Sequence, residues 1–120
     1  MIRPVCVIGN LNIDLIIRGI DRMPVWGQEV FGDSHVAASA GQAGYLSMAL
    51  AGLGIPVSLI SCLGDDRFGD QIAADLTRAG IALDDVERLP NTPTAITVGI
   101  VRPDGERAFV SDFTPLNRFD

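Results

Sequence analysis

The chain alternates between short apolar runs and turn-rich breaks, and the period of its apolar positions changes along its length. Residues 4–9 (Pro-Val-Cys-Val-Ile-Gly) form a continuous apolar run ended by glycine, the pattern of a strand covered on both faces. Residues 14–19 (Asp-Leu-Ile-Ile-Arg-Gly) are rich in β-branched side chains and predict a second strand. Residues 20–30 hold Pro24, Trp26 and Gly27 and read as a loop, and residues 31–38, mixed in polarity, predict a half-covered strand. From residue 41 the period lengthens: Ala43, Leu46, Ser47, Ala49, Leu50 and Leu53 line one helical face. Gly54 and Pro56 then mark the helix end. Val57 to Leu63 predicts another buried strand. Asp66 is placed to cap a helix that carries Phe68, Ile72 and Leu76 and ends at Gly80.

Two further strand-like runs, residues 95–101 and 107–113, flank Pro103-Asp104-Gly105-Glu106, and Asp-Gly between such runs predicts a hairpin. Alternating strands and helices followed by a hairpin read as an α/β sheet with antiparallel additions. The 120 residues suffice for one compact domain, with no internal repeat or low-complexity segment.

Composition narrows the function classes. A hydrophobic fraction of 48% with 20% charged residues excludes a disordered chain. The net charge is −6, and all nine cationic side chains are arginines scattered singly. No basic stripe exists to follow a phosphate backbone, so no nucleic-acid partner is expected. Cys6 and Cys62 sit in apolar runs without metal or redox spacing and are expected to be buried reduced thiols. His35, the sole histidine, has no companion ligand nearby, so no metal site is expected and an exposed position is. The N-terminus reads as neither a signal peptide nor a membrane span, which makes a cytoplasmic location the default expectation.

Two stretches carry candidate chemistry. In Gly9-Asn10-Leu11-Asn12-Ile13-Asp14 an amide and a carboxylate alternate, which puts Asn12 and Asp14 on one face of an extended chain. Together they offer the acceptors and donors that vicinal hydroxyls require. The alternative is a turn cap at Asn12 and a solvated Asp14, and spacing alone barely separates the two. The second stretch, Ala40-Gly41-Gln42-Ala43-Gly44, opens a helix with small residues that let backbone amides approach a ligand. It does not match the dinucleotide pattern G-x-G-x-x-G, and a chain without lysine has no phosphate-binding P-loop.

In this second stretch Ala40, Gly41, Ala43, Ser47, Gly54 and Gly64 fall in the register of the first signature of the ribokinase-like (PfkB) carbohydrate kinases. One position departs: Tyr45 stands where the family has Asn. The chain also resembles the family in Asn12 and Asp14 of its opening, in Gly64-Asp65-Asp66-Arg67-Phe68-Gly69, and in Asp104-Gly105-Glu106-Arg107, so that the likeness covers nearly all of it. The resemblance implies a ribokinase-like α/β fold for residues 1–120: a central sheet with flanking helices plus a small β lid from about 14–38 and 95–113. It implies transfer of the ATP γ-phosphoryl group to a sugar hydroxyl, with Mg²⁺ accompanying the ATP. Asn12 and Asp14 would hold hydroxyls, Gly41 and Gln42 would lie near the ring, and Tyr45 would alter substrate choice or plug the pocket. Thr94 and Ile96 are weaker substrate candidates, and Trp26 is expected to pack in the lid or between two lids.

The family's second signature, D-T-x-G-A-G-D, supplies an anion hole and the catalytic base for phosphoryl transfer. It does not occur in this sequence. The expectation is therefore a sugar-binding part that lacks the ATP and catalytic segment, with no catalytic, cofactor or metal residue among its own. Rival readings are a truncated or inactive chain that binds sugar alone, and a module that dimerises through its lid strands. A domain this small buries a reduced share of its surface, so the isolated chain is expected to be marginally stable or self-associating.

Overall fold

The computed structural model describes residues 2–118. Seven strands and two helices follow one another as β1 (Val5–Ile8), β2 (Asn12–Arg18), β3 (Ser34–Ala40), α1 (Gly41–Gly52), β4 (Val57–Gly64), α2 (Arg67–Arg78), β5 (Val86–Leu89), β6 (Ile96–Val101) and β7 (Arg107–Asp112). A single 3-10 turn, Thr114–Arg118, closes the described chain.

The strands divide into two sheets. One is parallel and three-stranded, in the order β1-β4-β5. The other has the order β3-β2-β6-β7, with β2 antiparallel to β3, parallel to β6, and β6 antiparallel to β7. The α/β class read from the sequence is the fold found. The predicted hairpin is β6–β7, and Gly105 adopts the left-handed backbone (φ +90°) that its turn demands. β5 is absent from the sequence reading, because the four residues Val-Glu-Arg-Leu alternate faces at a sheet edge and make no apolar run. β2 begins at Asn12, two residues before the predicted start, because Asn12 and Ile13 already pair with Ala40 and Ser39.

The core lies between the three-stranded sheet and the helices. Val7, Leu59 and Leu63 from one sheet face meet Ala43 of α1 and Ile72 and Leu76 of α2, with Leu11, Ile13 and Ala40 closing the cluster. Replacing Leu76, wholly buried, by Ala should cost roughly 2–5 kcal/mol. The other face of β1 is open: Ile8 is 70% exposed and Cys6 is exposed beside it. This corrects the expectation of a doubly covered first strand with a buried Cys6 thiol. Cys62, in the central strand β4, is buried as expected.

The buried side of α1 also differs from the periodicity reading. Gly41, Ala43, Gly44 and Ser47 face inward, while Leu46 and Leu53 point outward, Leu53 being 74% exposed. A helix apolar on all sides gives periodicity no face to select. Close approach made the selection: a Cβ on Gly44 would meet Leu11 Cδ2 at 3.0 Å.

Candidate functional site

The start of β2, the start of α1 and the β6–β7 hairpin converge on one cavity of about 380 Å³. Asn10, Asn12, Asp14, Gly41, Gln42 and Tyr45 form one side of it. Thr97, Phe109, Ser111 and Phe113 form the other. The cavity has a simple origin in strand geometry. Asp14 pairs with Thr97 across β2 and β6, and Thr97 with Ser111 across β6 and β7, so these three side chains share one row on one sheet face. Phe109 lies two residues along the same face and lays its ring over Gly99, whose missing side chain leaves the room.

A polar chain runs along the floor. Asn10 Nδ2 donates to Asn12 Oδ1 (2.9 Å), and Asn12 Nδ2 donates to Asp14 Oδ1 (2.8 Å). Tyr45 Oη donates to the other carboxylate oxygen, Asp14 Oδ2 (2.8 Å). Asn12 is buried, which fixes its amide toward Asp14, whereas Asp14 is half-buried and opens onto the cavity. A carboxylate has about four lone-pair sites, so Asp14 keeps acceptor capacity beyond its two bonds. Burial, then the hydrogen bond to Asp14 and that group's charge, push the Tyr45 phenol up to about 12. Tyr45 therefore stays a proton donor throughout the neutral range.

Gly41 holds this floor in place. Its φ of +82° belongs to the region that favours glycine, and a Cβ there would collide with Asn12 Oδ1. Ala40, which precedes α1, makes no side-chain hydrogen bond to the helix's first turn.

The Gly64-Asp65-Asp66 run is built differently. Asp66 Oδ1 accepts from Gly69 N (2.9 Å) and from Thr94 Oγ1 (2.6 Å), and Asp66 Oδ2 accepts from Thr94 N (2.9 Å). Gly64 N donates to Thr94 Oγ1 (3.1 Å). Asp65 accepts from Asn91 N (2.7 Å) and Thr92 N (3.2 Å). Burial pushes the Asp66 carboxyl up, but the bonds from Thr94 and Gly69 more than offset it and hold it below its ordinary value. The bonds from Asn91 and Thr92 likewise hold Asp65 low. These carboxylates cap α2 and clamp the segment that leads into β6.

Of the sequence-predicted site residues, Asn12, Asp14, Gly41, Gln42 and Tyr45 meet in the cavity. Thr94 and Ile96 do not line it; Thr94 is buried in the Asp66 clamp and Ile96 packs against the core. Thr97, Phe109, Ser111 and Phe113 were missed, although the period-two alternation of the hairpin was the signal that could have placed them. Trp26 lies fully exposed in the loop between β2 and β3, and His35 is exposed on β3. A smaller hollow of about 160 Å³ at the far end of the hairpin, near Met23, Arg102 and Glu106, gathers none of the predicted residues. Among the described residues, no group of three or more His, Cys, Asp or Glu side chains could hold a metal ion, and no helix is long and apolar enough to cross a membrane.

Comparison with known proteins is consistent across sequence and structure. The family model described as pfkB family carbohydrate kinase matches residues 3–120. The ribokinase of Bacillus subtilis is 31% identical over 119 residues, which cover 94% of this chain and 40% of the Bacillus protein. The ATP-dependent ribose-1-phosphate kinase of Halopiger xanaduensis is 34% identical over 104 residues, 87% of this chain and 35% of that protein. The solved Arabidopsis thaliana ribokinase complexed with ribose and ATP superposes with a TM-score of 0.80 at 24% identity, covering 93% of this chain and 36% of that one. The chain thus spans well under half the length of the relatives it matches.

Proposed function

The chain belongs to the pfkB family of carbohydrate kinases, and from that premise we propose that it supplies the sugar-binding part of an enzyme that phosphorylates a sugar hydroxyl with ATP. The observation that carries this reading is the convergence of Asn12, Asp14, Gly41 and Gln42 on one cavity beneath the four-stranded sheet. Asp14 would accept from one or two hydroxyls, and Asn12, locked between Asn10 and Asp14, would hold that carboxylate at a fixed angle. Positioning of this kind accounts for much of the rate gain in phosphoryl transfer.

The four-stranded sheet would act as a lid. It joins the core through three short passages, 9–11, 40–41 and 90–95, and closing it over the ligand would exclude water. Ser39 Oγ donates to Asp75 Oδ2 (2.7 Å) and Gln71 Nε2 donates to the Ala37 carbonyl (3.2 Å), so α2 steadies the base of that sheet. We further propose a cytoplasmic enzyme, with the lid strands available for pairing of two copies.

ATP and Mg²⁺ do not fit the cavity described. None of its ten lining residues is cationic, and its one charge is the Asp14 carboxylate, which would repel a triphosphate. We assign the nucleotide and the catalytic base to polypeptide outside these 120 residues. In the full chain, Asp14→Asn should lower kcat/KM for the sugar by roughly a hundredfold or more, in line with loss of a charged hydrogen-bond partner. Unchanged kcat/KM in that variant would remove Asp14 from the substrate site.

A further inference from the structure

Two hydrogen bonds run from α2 to β3, the strand that leads into the candidate site. Ser39 Oγ donates to Asp75 Oδ2 at 2.7 Å, and Gln71 Nε2 donates to the Ala37 carbonyl at 3.2 Å. Gln71 and Asp75 are four residues apart on one face of α2, and Ala37 and Ser39 are two apart on β3, so the helical and strand periods meet twice. Asp75 divides its oxygens between two partners. Its Oδ1 takes Arg78 Nη1 at 2.9 Å, which leaves Oδ2 to the Ser39 hydroxyl.

Ser39 stands where two walls of the cavity meet. Across the ladder it pairs with Ile13, wholly buried and the residue between Asn12 and Asp14. Along the chain it is two residues before Gly41, whose backbone lies too close to Asn12 Oδ1 to admit a Cβ. Asp14 pairs with Ala38, so the Ser39 side chain lies on the sheet face opposite the cavity. Asp75 does not line the cavity and can act on it only by where it holds β3. The bonds between Asp66 and Thr94 hold the sheet where the chain enters β6, and the bond between Ser39 and Asp75 holds it at β3. With β3 released, the sheet could tilt about the β6 attachment and carry Asp14 away from Gly41.

Resting on the carbohydrate-kinase reading above, we infer that Asp75 is a positioning residue for sugar binding: through Ser39 it fixes the base of β3 and so keeps Asp14 and Gly41 in place on the cavity wall. The effect falls on binding, because a sheet that holds the binding arrangement for a smaller fraction of the time lowers the apparent affinity by that fraction.

The test is steady-state kinetics of the full chain with ATP and ribose, fructose or ribose 1-phosphate, followed on the acceptor that the unaltered protein turns over fastest. Asp75→Ala and Ser39→Ala should each raise KM for that acceptor about fivefold or more and leave kcat within about twofold. The double variant should be no worse than the poorer single variant, because both substitutions remove the same bond. Asp75→Asn keeps an acceptor oxygen for Ser39 and should hold KM within about twofold of the unaltered value. An unchanged KM in Ser39→Ala, effects that multiply in the double variant, no rescue by Asp75→Asn, or a loss confined to kcat would each overturn the inference and leave the kinase reading intact. Should Asp75→Ala fail to fold, Ser39→Ala set against Asp75→Asn decides the matter. If the unaltered protein phosphorylates none of the three acceptors, the carbohydrate-kinase reading fails and the inference with it.

Discussion

The two helices begin alike in sequence and unlike in structure. Each follows a strand of the chain and starts among small residues, Ala40-Gly41 for α1 and Gly64-Asp65-Asp66 for α2, and each has an aspartate within reach. At α2 the aspartate oxygens are taken by the helix's own amide and by Thr94, and the helix start is closed. At α1 no side chain caps the first turn, and the nearby aspartate, Asp14, faces a cavity with acceptor capacity to spare. The difference teaches that a carboxylate's role follows from what its oxygens already hold. Saturated by backbone donors it fastens the fold; bonded to two side chains at the edge of a cavity it can take a ligand.

The comparison can be broken most forcefully at Gly64. A Cβ there would collide with the Thr92 carbonyl and the backbone of Pro93 and Thr94, groups that cannot swing aside. Gly64→Ala should therefore cost roughly 3–5 kcal/mol in denaturant unfolding, with both sheets lost together. Asp66→Ala comes next, at about 2–3 kcal/mol, since it removes a helix cap and leaves the buried Thr94 hydroxyl without its acceptor.

Acid sharpens the same contrast. The folded-state Asp66 carboxyl lies below its unfolded value of about 3.9, so its contribution is complete above that pH and is lost as pH falls through the lower folded value. Stability should decline below about pH 4, and Asp66→Asn should flatten that decline in acid-unfolding curves. At the open helix the balance reverses: Asp14→Asn should change stability by no more than about 1 kcal/mol while the affinity for sugar drops by about tenfold or more, read by titration on the folded variant. The smallest effect is spectroscopic. Tyr45 is the sole tyrosine, so its tyrosinate absorbance should develop with a midpoint of about 12, and Asp14→Asn should lower that midpoint only in part, because burial, the larger cause, remains.

Much of this was written in local sequence. The apolar runs at 4–9 and 57–63 became strands, Asp66 became the cap of α2, and Asp104-Gly105 became the hairpin turn, because each depends on neighbours within a few residues. The alternation of Asn12 and Asp14 likewise placed both side chains on one face of β2. Long-range pairing was not legible in the same way. Thr97, Ser111 and Phe109 reached Asp14 only through the register of β2 with β6 and of β6 with β7, and Thr94 became part of the clamp through contacts some thirty residues away. The open face of β1 and the small-residue side of α1 were decided by how closely strands and helices approach one another. The sequence by itself thus determined most of the elements and the shared face of Asn12 and Asp14, because turns, caps and strand alternation are local. Only the tertiary structure decided which rings line the cavity and which aspartate was left open, because both depend on which distant donors and rings come to rest there.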